Sequence, residues 1–155
     1  MLVHDHDILS SQVEHVTALV RGLTNPALNS NSLCTELIQQ AELLRDQLLE
    51  HFGFEEEGAF PFLADLIPSE KANINALSSA HDSIAGAVSQ VVQLGRLAAR
   101  ETLTADLGPI INAYDRFYTA FSAHVQAEAE FLSRVSSALD DNQRRAVEER
   151  MRGVL

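Results

Sequence analysis

The chain has one cysteine among its 155 residues, so Cys34 cannot close an internal disulfide, and without a Cys-x-x-Cys pair its six histidines do not form the common zinc-finger layouts. A thiol left single fits a reducing cytoplasm. Basic residues are scarce as well: 11 Lys and Arg stand against 22 Asp and Glu, a net charge of -11. A surface that tracks phosphates would have to be built against that field, so nucleic acid is not an expected partner. No window approaches the ~18 uninterrupted apolar residues of a membrane span, and the opening Met-Leu-Val-His-Asp-His-Asp lacks a basic region followed by an apolar stretch. Neither membrane insertion nor secretion is expected. Seven glycines and four prolines are too few, and too clustered, to punctuate the many short strands of a sandwich or barrel.

What remains is 46% hydrophobic residues in a chain the length of one ordinary domain, enough for a sizeable core. The expectation is a single domain over 1–155, with a bundle over about 4–139 and a short charged C-terminal tail over 140–155. Apolar residues recur at steps of three and four in four stretches. The first, about Asp5 to Leu23, carries Leu9, Val13, Val16, Val20 and Leu23. The second carries Leu37, Ala41, Leu44, Leu48, His51, Glu55 and Ala59 and should end before Pro68. The third shows Ile74, Leu77, His81, Ile84, Val88 and Val91 and fades near Arg100. The fourth carries Tyr114, Phe117, Phe121, His124, Glu128, Phe131, Val135 and Leu139. Asp140-Asp141-Asn142 reads as a stop, and the charged stretch Arg144 to Arg152 as a short extra helix or a frayed tail. The fold class expected is all-α, an up-down-up-down antiparallel four-helix bundle.

His51, Glu55, His81, His124 and Glu128 lie on the apolar stripes and not on the outer faces. Burying such groups unpaired costs on the order of a few kcal/mol each, and more for charges, so something must satisfy them. A His followed four residues later by a Glu puts both side chains on one helix face, one turn apart. That happens twice, in His51-Phe-Gly-Phe-Glu55 and His124-Val-Gln-Ala-Glu128. In an antiparallel hairpin, facing residues are equidistant from the loop. The first pair and His81 are centred on residue 67, beside Pro68, and the second pair and His81 on about residue 103, inside the Glu101 to Gly108 connection. Three helices should therefore present these groups at one level. On the first helix the same arithmetic points to His6 or His4 and away from His15. His6, which extends the Leu9 stripe, is favoured, with His4 the alternative.

Four imidazoles and two carboxylates suit two intermediate metal ions, with nitrogens in terminal positions and carboxylates able to bridge. Iron fits this set better than structural zinc, which prefers thiolates, or calcium and magnesium, which want oxygen throughout.

These residues resemble the H…HxxxE…H…HxxxE branch of the hemerythrin-like family of His-His-Glu cation-binding domains. The run His51-Phe-Gly-Phe-Glu55-Glu56-Glu57-Gly-Ala-Phe60-Pro61-Phe-Leu63 is close to that family's second-helix signature, and the likeness spans roughly residues 4 to 139. It implies the hemerythrin bundle and, as metal ligands, His6 or His4, His51, Glu55, His81, His124 and Glu128. It also implies two iron ions joined by an oxo or hydroxo bridge. The oxygen-storing members carry two histidines four apart on the third helix, where Leu77 and Ala85 flank His81 here. They also carry an Asp five residues after the fourth-helix His, where this chain has Ala129. The matching branch is similar to proteins of iron sensing, nitric oxide or peroxide chemistry, and iron-sulfur repair, and this chain lacks the repair proteins' cysteine-bearing N-terminal domain.

The functional expectation is a cytoplasmic, non-haem di-iron protein that binds, senses or reacts with oxygen, nitric oxide or peroxide, more a binding or sensing protein than an enzyme. A ferritin-like oxidase would show Glu-x-x-His at a spacing of three, which is reversed here. A metal-binding or metal-free helical interaction module, with a protein partner on the acidic surface, is the alternative. His15 reads as a surface or core-edge residue, Asp82 and Glu130 as solvated groups or groups that orient imidazoles, and Glu56 and Glu57 as facing solvent or neutralising the surface of the second helix. Tyr114 and Tyr118 read as core or edge aromatics, and Phe52, Phe60, Phe62 and Phe121 as core packing or a dry pocket for a diatomic ligand.

Overall fold

The computed structural model describes residues 6–25, 30–100 and 106–153, and every regular element among them is helical. The α-helices are α1 (Asp7–Gly22), α2 (Ser30–Phe54), α3 (Phe60–Leu66), α4 (Lys71–Arg100), α5 (Gly108–Ser136) and α6 (Asp141–Met151). A π-helical turn (Glu55–Ala59) joins α2 to α3, and a 3-10 turn (Pro68–Glu70) leads into α4. The loops expected around residues 26–29 and 101–105 lie outside the described residues. No helix among the described residues is long and apolar enough to cross a membrane.

The stripes read from the sequence are the buried faces. Leu9, Val13, Val16, Val20 and Leu23, then Ile74, Leu77, Ile84, Val88 and Val91, and then Tyr114, Phe117, Phe121, Phe131, Val135 and Leu139 are all buried.

The chain forms two compact units, and α2, α4 and α5 contribute to both. One, over His6–Leu48 and Ser83–Ala120, holds the whole of α1. Its helices pack in a closed order. Gln12 of α1 donates from Nε2 to Gln40 Oε1 of α2 at 2.9 Å, and His15 lies 3.7 Å from Glu36. Arg96 of α4 pairs with Glu42 of α2, and Arg116 of α5 donates to Gln90 of α4 at 3.1 Å. The Tyr114 hydroxyl of α5 donates to the Val13 carbonyl of α1 at 3.2 Å and bonds Thr17. The contacts from α1 to α2, α2 to α4 and α4 to α5 are centred on the intervening connections, as antiparallel hairpins require. This unit therefore has the expected four-helix order, with an aliphatic and aromatic core.

The other unit takes Leu49–Asp82 and the described residues from Phe121 onward. Its apolar cluster joins Ala59, Phe60 and Leu63 to Ile74 and Leu77, to Phe131, Leu132 and Val135, and to Leu139, Val147 and Met151. Here the second helix departs from the sequence reading, which carried it unbroken towards Pro68. Pro61 has no N–H to complete an α-helical bond to Glu57, and its ring would press on that carbonyl. The π turn ends just before this proline, which takes a place in the first turn of α3, where a missing N–H costs nothing. The segment read as a stop at Asp140 is a start. The Asp140 side chain accepts from Gln143 N at 2.8 Å and Gln143 Oε1 accepts from Asp140 N at 3.0 Å, a complete capping box for α6.

Candidate metal centre

Five of the ionisable stripe residues come together within the second of these units. Glu55, the first residue of the π turn, is fully buried, as is Glu128 on α5; His81 and His124 are 2% and 4% exposed, and His51 is half-buried. Glu55 sits between imidazoles from two helices. Its Oε1 lies 2.9 Å from His51 Nε2, and its Oε2 lies 3.0 Å from His81 Nε2. His81 Nε2 is also 3.2 Å from His124 Nε2, which in turn is 3.4 Å from Glu128 Oε2. Glu55, His81 and His124 can each offer a ligand atom within 4.8 Å of the others, and His51, Glu55 and Glu128 form a second such group. Glu55 belongs to both.

The register follows from the helices. Within unbroken α5 a step of four stays on one face, so Glu128 is buried below His124 while Ala129, one step further, is exposed. Leu77, one turn before His81, is packed in the apolar cluster.

His81 is the most constrained of the imidazoles. Phe52 stacks on it with ring centroids 3.8 Å apart and planes 8° from parallel, and Phe60 lies 6.0 Å away at 16°. Phe52 meets His124 edge-on at 5.9 Å. The ring's outer nitrogen, Nδ1, is 2.6 Å from Glu56 Oε1. Burial opposes the charged imidazole, but the hydrogen bonds to Glu55 and Glu56 outweigh it and raise the His81 pKa above its ordinary value. A carboxylate on Nδ1 fixes the tautomer and leaves Nε2 as the atom presented to the cluster, the arrangement that orients histidine ligands in metal sites.

Glu56 is exposed, as the sequence reading expects, but its contact with His81 is an addition to that reading. Its side chain is 43% exposed, yet one oxygen anchors His81. Of the two readings of Asp82 and Glu130, the solvated one holds: Asp82 is exposed, and Glu130 accepts from Gln126 on the surface of α5. The available signal was Pro61, which marks the helix as irregular over the turn where Glu56 lies.

His15 is exposed beside Glu36, as expected. His6 directly precedes α1 and belongs to the other unit, and His4 lies outside the described residues, so both remain expectations of the sequence. Tyr114 is buried in that other unit, where burial raises its pKa against the lowering effect of the Thr17 hydrogen bond.

The family model described as the hemerythrin HHE cation binding domain matches residues 1–135. Comparison with curated proteins and with solved structures returned no match.

Proposed function

The chain belongs to the hemerythrin HHE cation-binding family, and from that premise we propose that it is a di-iron protein that binds, senses or reacts with a small oxidant. The observation that supports this best is Glu55, a fully buried carboxylate whose two oxygens each face a different imidazole. A carboxylate so placed is costly without a cation and well suited to bridging two. The donor set of imidazoles and carboxylates, with no thiolate, fits iron. The proposed ligands are His51, Glu55, His81, His124 and Glu128, with His6 as the sixth donor on the sequence argument. When bound, such a pair supplies Lewis-acid and redox chemistry towards oxygen, nitric oxide or peroxide at positions the protein leaves unfilled.

The chain's own contribution is to hold and exclude. Glu56 fixes the tautomer of His81. Phe52 and Phe60 pack against the His81 ring and keep water from that side. Oxygen, nitric oxide and peroxide are the reactants proposed because the branch of the family that the sequence resembles is concerned with them. Leu77 and Ala85, four residues either side of His81, provide no second third-helix histidine, which leaves fewer nitrogens than the oxygen-storing members have and favours sensing or redox turnover over reversible storage. Cys34 is a free, buried thiol whose pKa burial raises, in keeping with the proposed cytoplasmic location.

Metal analysis of protein expressed with iron tests the reading. Two irons per chain are expected, with most of that content lost in Glu55→Ala and in Glu128→Ala. Content far below two, or content unchanged in both variants, would overturn it. Rapid mixing of the reduced protein with oxygen, peroxide and nitric oxide then ranks the three reactants.

A further inference from the structure

We propose that α6 clamps the π-helical turn, and that Arg150 is thereby a positioning residue for the carboxylates of Glu55 and Glu56. The inference rests on the metal-binding reading above and adds to it a helix beyond residue 135, where the family match stops.

A π turn is poorly bonded and persists where its surroundings hold it. Pro61 explains why this turn is not α-helical, and α6 explains what holds it. The two pack directly together. At Gly58, inside the turn, an added methyl would lie 3.5 Å from both Cβ and the carbonyl oxygen of Arg150, so the α6 backbone runs one methyl's breadth from the turn. The Arg150 guanidinium lies 3.9 Å above the Phe62 ring and donates from Nη1 to the Ala146 carbonyl at 3.0 Å, which fixes its side chain. Beyond α6 the chain turns at Gly153 with φ +73, a left-handed conformation suited to glycine, and a side chain there would strike the Phe54 ring at 2.7 Å. Val147 and Met151 are buried in one cluster with Ala59, Phe60 and Leu63.

The contacts of α6 therefore bracket the turn, from Phe54 directly before Glu55 to Phe62 in the first turn of α3. The far end of α6 is fixed independently, by its capping box and by Arg144, which donates from Nη1 to the Ser136 carbonyl at 2.9 Å. A rigid helix anchored at one end and pressed on the turn at the other sets where the first two residues of the turn point. Those residues are Glu55, between His51 and His81, and Glu56, on the outer nitrogen of His81.

The test uses full-length Arg150→Ala and Gly153→Ala, with exposed Arg152→Ala as control. Two rates are read: iron release from loaded protein to a chelator, and amide exchange in metal-free protein over 55–59 against 74–82. Both test variants should release iron about tenfold faster, the lower range for losing groups that orient ligands. They should also exchange faster over 55–59 while 74–82 keeps the parent rate. Parent-like release and exchange in both variants would overturn the proposal, as would exchange rising equally in the two segments, which marks general destabilisation. If the parent takes up no iron, the metal reading fails on its own account, and exchange in the metal-free protein still decides whether α6 clamps the turn.

Discussion

The helices α2, α4 and α5 each serve two compact units and bury different chemistry in each. Over one unit their inward positions are Leu37, Ala41 and Leu44, then Val88 and Val91, then Ala113 and Phe117; over the other they include His81, His124 and Glu128, with Glu55 on the π turn that follows α2. Backbone and periodicity are shared, so the difference lies in what each buried face is for. An aliphatic face gains from every group taken out of water, by about 25 cal/mol per Å². An imidazole and carboxylate face loses on the same transfer unless something pays the desolvation. The second unit carries further irregularity at the same place, a π turn and an extra helix packed on it. Residues that oppose stability concentrate where a cation would reverse the sign.

The contrast is broken most sharply by exchanging one feature in each unit and unfolding metal-free protein with denaturant. Phe117→Ala, in the aliphatic unit, should cost about 3–5 kcal/mol, the range for a fully buried phenyl ring. His124→Leu combined with Glu128→Met should do the reverse, gaining roughly 1–4 kcal/mol by replacing a buried polar pair with apolar groups of similar size, while abolishing metal uptake. A double variant that lost as much as Phe117→Ala would mean these groups hold the fold in their own right, and the comparison would collapse.

A smaller effect separates anchoring from ligation. Glu56→Gln keeps the side chain's size but removes the carboxylate from His81 Nδ1. Chelator competition should show metal held about tenfold less tightly, while metal-free protein should lose only the modest stability of one partly exposed hydrogen bond to the imidazole. Metal retention equal to the parent's would return Glu56 to the solvated role its sequence position suggested.

How far this was legible in the sequence follows the range of the interactions concerned. Stripe positions and the common level of His51, Glu55, His81, His124 and Glu128 depend on helical period and on equal distance from a loop, both of which are counted along the chain. The π turn depends on a collision between Pro61 and a carbonyl four residues back, visible only if the proline is read as a constraint on the turn before it. The role of Glu56 depends on how that distorted turn aims a side chain. The docking of α6 depends on Gly58 and Gly153, whose absent side chains leave no periodic trace. Asp140 was read as a stop because acidic residues after an apolar stripe break a helix. The same residue, three before Gln143, also begins one.

The smallest expected effect lies on the surface of the unit that holds the imidazole and carboxylate cluster, where its cause can be isolated. Glu70, in the 3-10 turn, accepts from Arg134 Nη2 at 3.0 Å and from Asn73 Nδ2 at 2.7 Å, and the Arg134 hydrogen bond, followed by that of Asn73, holds its carboxyl below the usual value. A carboxylate whose pKa is depressed on folding contributes stability above its unfolded pKa, and that contribution fades as pH falls through the folded value. Glu70→Gln in metal-free protein should therefore be slightly less stable than the parent at pH 7, and the gap should close as pH falls through the lowered pKa of Glu70 in the folded protein. Exposed ion pairs are weak and screened by salt, so 1 M salt at pH 7 should narrow the same gap. A gap that persisted in acid would belong to the Gln side chain or its packing instead of the Glu70 charge.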